Sequence, residues 1–440
     1  VLMEPRVTVA GAKEKKPSIP VWRRKGVLAG TVAVLIVIIG VAVWNFYLRT
    51  PKIELASKEK MAFPLPDKPS IAVLPFANIS GEKELELISD GLAEGIIDGL
   101  SRSQHIFVIA RNSTFTYKGK PVKVKQVAEE MGVRYVIEGS IQQERSRVRI
   151  TAQLIDALTG HHLFSERYDR DLKHILSLQD EITMKVLTAV QVKLTMGESA
   201  RIRGKGTQNL DAYLKVLEAG ELKATIQNKG RVERSMQLCE EAIALDPEYA
   251  NAYATLSTAH SRMVMIGASD SPRESLRRAV EIGKKAIALD ESRSGILVWP
   301  YVLLREFDKA IEAAEKGVSL SPNSAQNYFA FGAALVFAGR HQEAIPVLQK
   351  CLRHSPVPYH VGVFGWLASS YTQVGQYEEA VVTWKKSLQI YGPDQLGAHV
   401  GLAANYIYLG RENEARAEAA EILRIDPKFS VERFIKGFPG

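Results

Sequence analysis

"YFAFGAALVFAGRHQEAIPVLQKCLRHSP" runs from Tyr328 to Pro356. Tyr328, Gly332, Ala344 and Pro356 fall at the intervals of two helices packed as a pair and ended by a proline turn. A small Ala at the helix–helix contact lets the pair approach closely, and the aromatic fills the space between neighbouring pairs. The marks recur downstream at Tyr371 and Ala380, then at Tyr406, Ala415 and Pro427. From about Asn209 onward the chain is helical and repetitive. Pair-ending positions occur at Asp246-Pro247, Asp290-Glu291, Ser321-Pro322, Ser355-Pro356, Gly392-Pro393 and Asp426-Pro427, in steps of 44, 31, 34, 37 and 34 residues.

The tetratricopeptide period is about 34 residues. The spacing therefore predicts about six such repeats over residues 208–430, an all-α solenoid in which each pair buries its apolar face on its neighbours. The first two repeats are irregular. The 44-residue step leaves about ten extra residues around "MIGASDSPRE", read as a surface loop or longer helices. In the third repeat, Gly295 and Pro300 fall where a first helix should run. A proline inside a helix costs about 3 kcal/mol or more, so this repeat is expected to be distorted. Cys239 and Cys351, the two cysteines, read as small core residues of helices.

Ahead of the repeats the pattern changes. "IAVLPF" (Ile71–Phe76) and "IFVIA" (Ile106–Ala110) are short apolar runs that read as buried strands. Leu85, Ile88, Leu92, Ile96, Ile97 and Leu100 have helical spacing between them. "VKQVAEEMG" is a short helix with Gly132 as its C-cap. "RYVIEGSIQQ" and "RVRITAQLIDA" read as antiparallel strands joined near Arg145-Ser146, "HLFSERYDR" as another strand, and "LSLQDEITMKVLTAVQVKL" as a closing amphipathic helix. The expected order is β-α-β-α-β-β-β-α, an α/β sandwich over residues 70–197. Pro51, Pro64, Pro66 and Pro69 make residues 49–69 a Pro-rich extended linker.

A resemblance rests on this region. "DKPSIAVLPFANISG", "FVIARNSTFTYKGK", "VAEEMGVRYVIEGSI", "VRITAQLIDALTGHHLFSERYDRDL" and "LQDEIT" resemble the TolB amino-terminal-like domain of membrane-anchored bacterial signalling proteins. The likeness covers about Asp67 to Leu194. Proteins of that layout place a cytoplasmic effector first, most often a class III adenylate or guanylate cyclase domain. A membrane helix, this domain and tetratricopeptide repeats follow. The opening "VLMEP" resembles the tail of such a cyclase domain, and the resemblance implies an effector upstream of Val1.

The segment Gly26–Leu48 holds 23 residues without a charge. As a helix at about 1.5 Å per residue it spans roughly 34 Å, enough for a bilayer core. Trp22 at one end and Trp44 and Tyr47 at the other are interfacial anchors. A cleavable signal peptide has a shorter apolar region ending in small residues. Residues 11–25 carry six Lys and Arg, including Arg23, Arg24 and Lys25 against the apolar run, and residues 49–63 carry four. By the positive-inside rule residues 1–25 are a cytoplasmic basic linker and the C-terminal domains are translocated. The expectation is a single-pass protein of the bacterial inner membrane.

Candidate chemistry is sparse. Residues 1–70 have no room for the paired Asp and purine-recognising residues of a class III cyclase. Gly204-Lys205-Gly206-Thr207 lacks the first glycine and preceding strand of a phosphate loop. His161-His162 has no third ligand and points two ways along a strand. Ser113 and Asp156 have no base partner. Lys118, Lys120, Lys123 and Lys125 read as a solvated face, with anionic lipid or peptidoglycan as the alternative. A net charge of +8 is spread along the chain, unlike the concentrated patch of a nucleic-acid binder. No catalytic, cofactor or metal residue is assigned.

The expected function is a non-catalytic, membrane-tethered sensing and interaction module. A protein partner would sit on the repeat surface and a small ligand or envelope component on the α/β domain, with coupling to a cytoplasmic effector. The resemblance implies a homodimer. The alternatives are the regulatory half of an adenylate cyclase, a tetratricopeptide assembly scaffold, or a membrane-bound transcription activator with a winged-helix domain upstream.

Overall fold

The computed structural model describes residues 54–144, 147–171, 174–192, 206–222, 228–357 and 362–436. The expected membrane helix over 26–48 and its anchors Trp22, Arg23, Arg24, Lys25, Trp44 and Tyr47 lie outside the described residues, as does the turn at Arg145-Ser146. Among the described residues no helix is long and apolar enough to cross a membrane.

The sheet unit begins with β1 (Ser70–Val73), whose four residues are all buried. Alternation along β1 feeds two layers: Ile71 and Val73 enter one apolar cluster, Ala72 and Leu74 another. A two-residue β2 (Ala77–Asn78) precedes α1 (Lys83–Ser101). Then come β3 (Phe107–Val108), a one-turn α2 (Arg111–Thr114) and α3 (Val124–Met131). Gly132 takes φ 61° at the end of α3, the left-handed cap its sequence position suggested. The long strands β4 (Tyr135–Glu144), β5 (Arg147–Asp156) and β6 (His162–Asp171) follow, and α4 (Leu176–Ala189) closes the unit. The sheet order is β3-β1-β4-β5-β6, with β2 on β4. The β1 pairings are parallel and the β4-β5-β6 meander is antiparallel.

Residues 54–69 of the Pro-rich segment pack on the sheet unit. Ala56 N–H donates to Ala157 O at 2.8 Å, and Ala62 N–H donates to Glu129 O at 2.8 Å. Ala56 is buried with Val127 and Met131. The prolines hold the backbone extended, while Ala56, Met61 and Phe63 give it apolar footholds, so the segment is a strap along the sheet unit.

Helix pairs fill the rest. They are α5 (Leu210–Leu222) with α6 (Lys229–Leu245), and α7 (Ala250–Met265) with α8 (Pro272–Leu289). In the third pair a 3₁₀ stretch (Glu291–Leu297) leads into α9 (Val298–Leu303), followed by α10 (Phe307–Leu320). Then come α11 (Ala325–Phe337) with α12 (His341–His354), α13 (Gly362–Gln373) with α14 (Tyr377–Tyr391), α15 (Leu396–Tyr408) with α16 (Glu412–Ile425), and a short α17 (Val431–Lys436). The fourth pair explains the opening motif. Ala344 is fully buried, and a Cβ on Gly332 would overlap Leu348. Tyr328, Tyr371, Ala380, Tyr406 and Ala415 are buried, and Gln349 Nε2 donates to the Tyr371 hydroxyl at 2.7 Å. Pro356 is half-buried. Pro427 is exposed. The third pair opens on a 3₁₀ stretch and a six-residue helix. Gly295 sits where a Cβ would crowd Asn327, and the 3₁₀ stretch lets the chain reach Pro300 near the start of α9.

The pair-ending positions that mark the period also dock on the sheet unit. Asn323 Nδ2 donates to Ser103 O at 2.6 Å, and Asn323 N–H to Ser101 O at 3.2 Å. Arg353 donates to Met131 O, Gly132 O and Pro64 O. Ala110 N–H donates to His354 O at 2.8 Å, and His354 Nδ1 lies 3.0 Å from Val108 O. Tyr213, Ala242, Tyr249 and Ala252 of the first helix pairs and the turn between them share one apolar cluster with Leu92, Ile96 and Val186.

Candidate binding cleft

Docking of the stack along α1 leaves a cleft of about 2210 Å³ between that helix and the first helices of the pairs. Its size exceeds the roughly 300–1,000 Å³ of small-molecule pockets. One wall is α1. Its apolar face, Leu85, Ile88, Leu92 and Ile96, is buried, which turns Asp90, Glu94 and Asp98 at every fourth residue toward the cleft. Glycines bring the walls together: a Cβ on Gly91 would overlap the Tyr213 hydroxyl and stand 2.7 Å from Leu217 Cδ1.

The carboxylates are held in place by cations. Asp90 is 7% exposed; its Oδ2 meets Lys118 Nζ at 2.5 Å and Arg111 Nη2 at 3.8 Å. Its Oδ1 is buried and accepts no hydrogen bond from the described residues. Glu94 lies 3.3 Å from Arg111 Nε, and the Arg111 guanidinium caps the Phe115 ring at 3.9 Å. Asp98 receives Arg102 at 2.9 Å and Arg293 at 3.0 Å, and Asp290 joins the same two guanidiniums at 3.2 and 3.4 Å. Burial opposes the Asp98 charge, but Arg293 and Arg102 outweigh it and hold its carboxyl down at about 2.

Another part of the lining is aromatic. Phe329 and Trp366 stack at 4.8 Å, Trp299 lies 5.7 Å from Trp366 and 6.0 Å from Phe329, and Phe337 meets Trp366 edge-on at 6.0 Å. Trp299, Phe337 and Trp366 are only half-buried. Around the whole lining, seven carboxylates face five guanidiniums, a net negative surface on a chain of charge +8. The arrangement can hold an extended or helical segment that carries both aromatic or apolar and cationic side chains.

The residues singled out in the sequence divide between packing and docking. Tyr328 stacks on His354 at 5.5 Å beside the sheet unit. Ser113 accepts from Val357 N–H at 3.0 Å and Asp156 accepts from Arg134 Nη2 at 2.8 Å, so both have structural partners. Lys118 pairs with Glu86 and Asp90. No group of His, Cys, Asp and Glu fit to hold a metal occurs among the described residues. Sequence reading missed the cleft. Its one local signal was the four-residue spacing of acids in "SDGLAEGIIDG", while the aromatic wall is assembled from three separate helices.

The architecture is a sheet unit followed by a mostly helical, tetratricopeptide-like stack. Residues 67–185 match the family described as HilA/YgeH-like transcriptional regulator, second domain. That match falls on the sheet unit. The chain is 40% identical over 228 residues to a protein of Rhizobium meliloti (strain 1021) named putative adenylate cyclase 3, covering 52% of this chain and 39% of that protein. It is 20% identical over 315 residues to the transcriptional regulator HilA of Salmonella typhimurium, covering 68% of this chain and 53% of HilA. The chain thus spans about half or less of the length of these curated relatives. Among solved structures, YrrB, described as a TPR protein with an unusual peptide-binding site, aligns with a TM-score of 0.36 at 18% identity, covering 46% of this chain and 98% of YrrB.

Proposed function

We propose that the chain is the non-catalytic, membrane-tethered interaction and sensing part of a bacterial signalling protein. In this reading the cleft between α1 and the helical stack takes a peptide segment of a protein partner. The observation that carries the reading is the cleft itself: larger than most small-molecule pockets, partly aromatic, and lined by more carboxylates than guanidiniums. Its occupant is cationic and aromatic. The uncharged run Gly26–Leu48 would tether the chain to the inner membrane, with the sheet unit and stack outside the cytoplasm. A small ligand or envelope component on the sheet unit would be a second input.

The effector this reading favours is a cyclase domain of the same signalling protein. The 40% identity to a protein named putative adenylate cyclase 3 supports this assignment. A second reading, a membrane-bound transcription activator, draws support from the HilA-type match over residues 67–185. Fusions of alkaline phosphatase after Gly440 and after Leu194 test the topology. Activity at both sites is expected; silence at both, with intact protein in the membrane, reverses the orientation and removes the sensing role.

A further inference from the structure

The two edges of the sheet are treated differently. At one edge β3 is covered by the helical stack, where His354 bonds the backbone at Val108 and Ala110. At the other edge β6 pairs with β5, and no described strand pairs with its far side. A ten-residue strand with an open edge is a template for another chain. Charge is a common guard on such edges, so the order of the charges decides what β6 is for.

The order is self-complementary. Around Tyr168 the strand reads Glu166-Arg167-Tyr168-Asp169-Arg170. In an antiparallel pair of identical strands, a two-fold axis perpendicular to the sheet keeps every side chain on its own face. Only registers that set a residue against itself are then allowed. With Tyr168 on the axis, Arg167 faces Asp169 of the second copy and Glu166 faces Arg170, and no like charges meet. Moving the axis to Glu166, Arg167, Asp169 or Arg170 sets that charge against itself. The side chains are reachable: Arg167 is 63% exposed, Arg170 38%, and Glu166 and Asp169 35% each. Their partners within the chain, Lys185 for Glu166, Glu181 for Arg170 and Arg149 for Asp169, form surface pairs worth little by themselves. Such charges can be shared across an interface.

We infer that β6 is the surface through which two copies of this chain pair, antiparallel, with Tyr168 at the two-fold axis. The sheets of the two copies then form one continuous sheet, with the stacks at its outer edges. Strand pairing supplies main-chain hydrogen bonds, and the charge order selects the register.

The test is sedimentation of the full 440-residue chain in density-matched detergent. A reversible dimer is expected. Symmetry doubles the effect of every reversed cross-strand pair, so Arg167→Asp and Asp169→Arg should each weaken the dimer about tenfold. The double variant Arg167→Asp/Asp169→Arg should restore it. The independent set Glu166→Arg, Arg170→Glu and their combination should behave alike, and circular dichroism identifies any variant that fails to fold. A monomer at all concentrations overturns the inference. So does a dimer indifferent to the single reversals, or folded double variants that stay monomeric.

Discussion

Replacing Asp98 by Asn should loosen the joint between the sheet unit and the third helix pair. Asp98 lies between Arg102 and Arg293, at 2.9 and 3.0 Å, and Asp290 completes the cluster. A carboxyl held at about 2 instead of 3.8 corresponds to about 2 kcal/mol at 1.36 kcal/mol per unit. The Asp98 side chain is 43% exposed, so solvent screening reduces its share to about 1 kcal/mol. The assay is urea unfolding followed by tryptophan fluorescence. The folded carboxyl titrates below its unfolded value, so its stabilisation is complete above about 3.8 and is lost as pH falls toward 2. The gap between wild type and Asp98→Asn should therefore be equal at pH 7 and pH 5. Arg293→Gln added to Asp98→Asn should cost less than the two separately. No gap at pH 7, or a gap that shrinks between pH 7 and pH 5, would refute the reasoning.

Gly332→Ala puts a methyl group onto Leu348 and should cost about 1–3 kcal/mol by overpacking, read as a lower thermal midpoint. Burial among Phe107 and Tyr328 pushes the His354 imidazole down to about 4, so it stays neutral in the fold. The unfolded chain takes up that proton first, and stability should fall by up to about 3 kcal/mol as pH drops from about 6.5 to 4. His354→Gln keeps a donor for Val108 O and should remove that part of the slope in pH-dependent melts. Burial raises the Cys351 thiol to about 12, and both cysteines are buried, so neither should react with a thiol reagent until the chain is unfolded.

The helix pairs were legible because their signal is local. Tyr328, Gly332 and Ala344 sit within one pair, and their spacing follows from how two helices touch. The strands were legible for a similar reason, since a buried parallel strand such as Ile71–Val73 is apolar on both faces. Docking of the stack on the sheet unit was not legible. It is made by polar groups some 220 residues apart, such as Asn323 with Ser103 and Arg353 with Gly132, and no periodicity links them. The strap over 54–69 was hidden by its prolines, which mark extended backbone whether it is free or packed. The cleft was hidden because Asp90, Trp299 and Trp366 have unremarkable neighbours in the sequence and line one cleft only in the folded chain.

The central claim, that the cleft takes a cationic and aromatic peptide segment, is tested most directly by fluorescence anisotropy on the full chain. The probes are labelled dodecapeptides containing Arg and Trp, and the same peptides with Glu in place of Arg. The basic set should bind, more weakly as salt rises, and the acidic set should not. Trp366→Ala and Glu94→Gln should each weaken the binding of the basic set. Equal binding of both sets, binding of neither, or binding indifferent to Trp366 and Glu94 would contradict the assignment of the cleft.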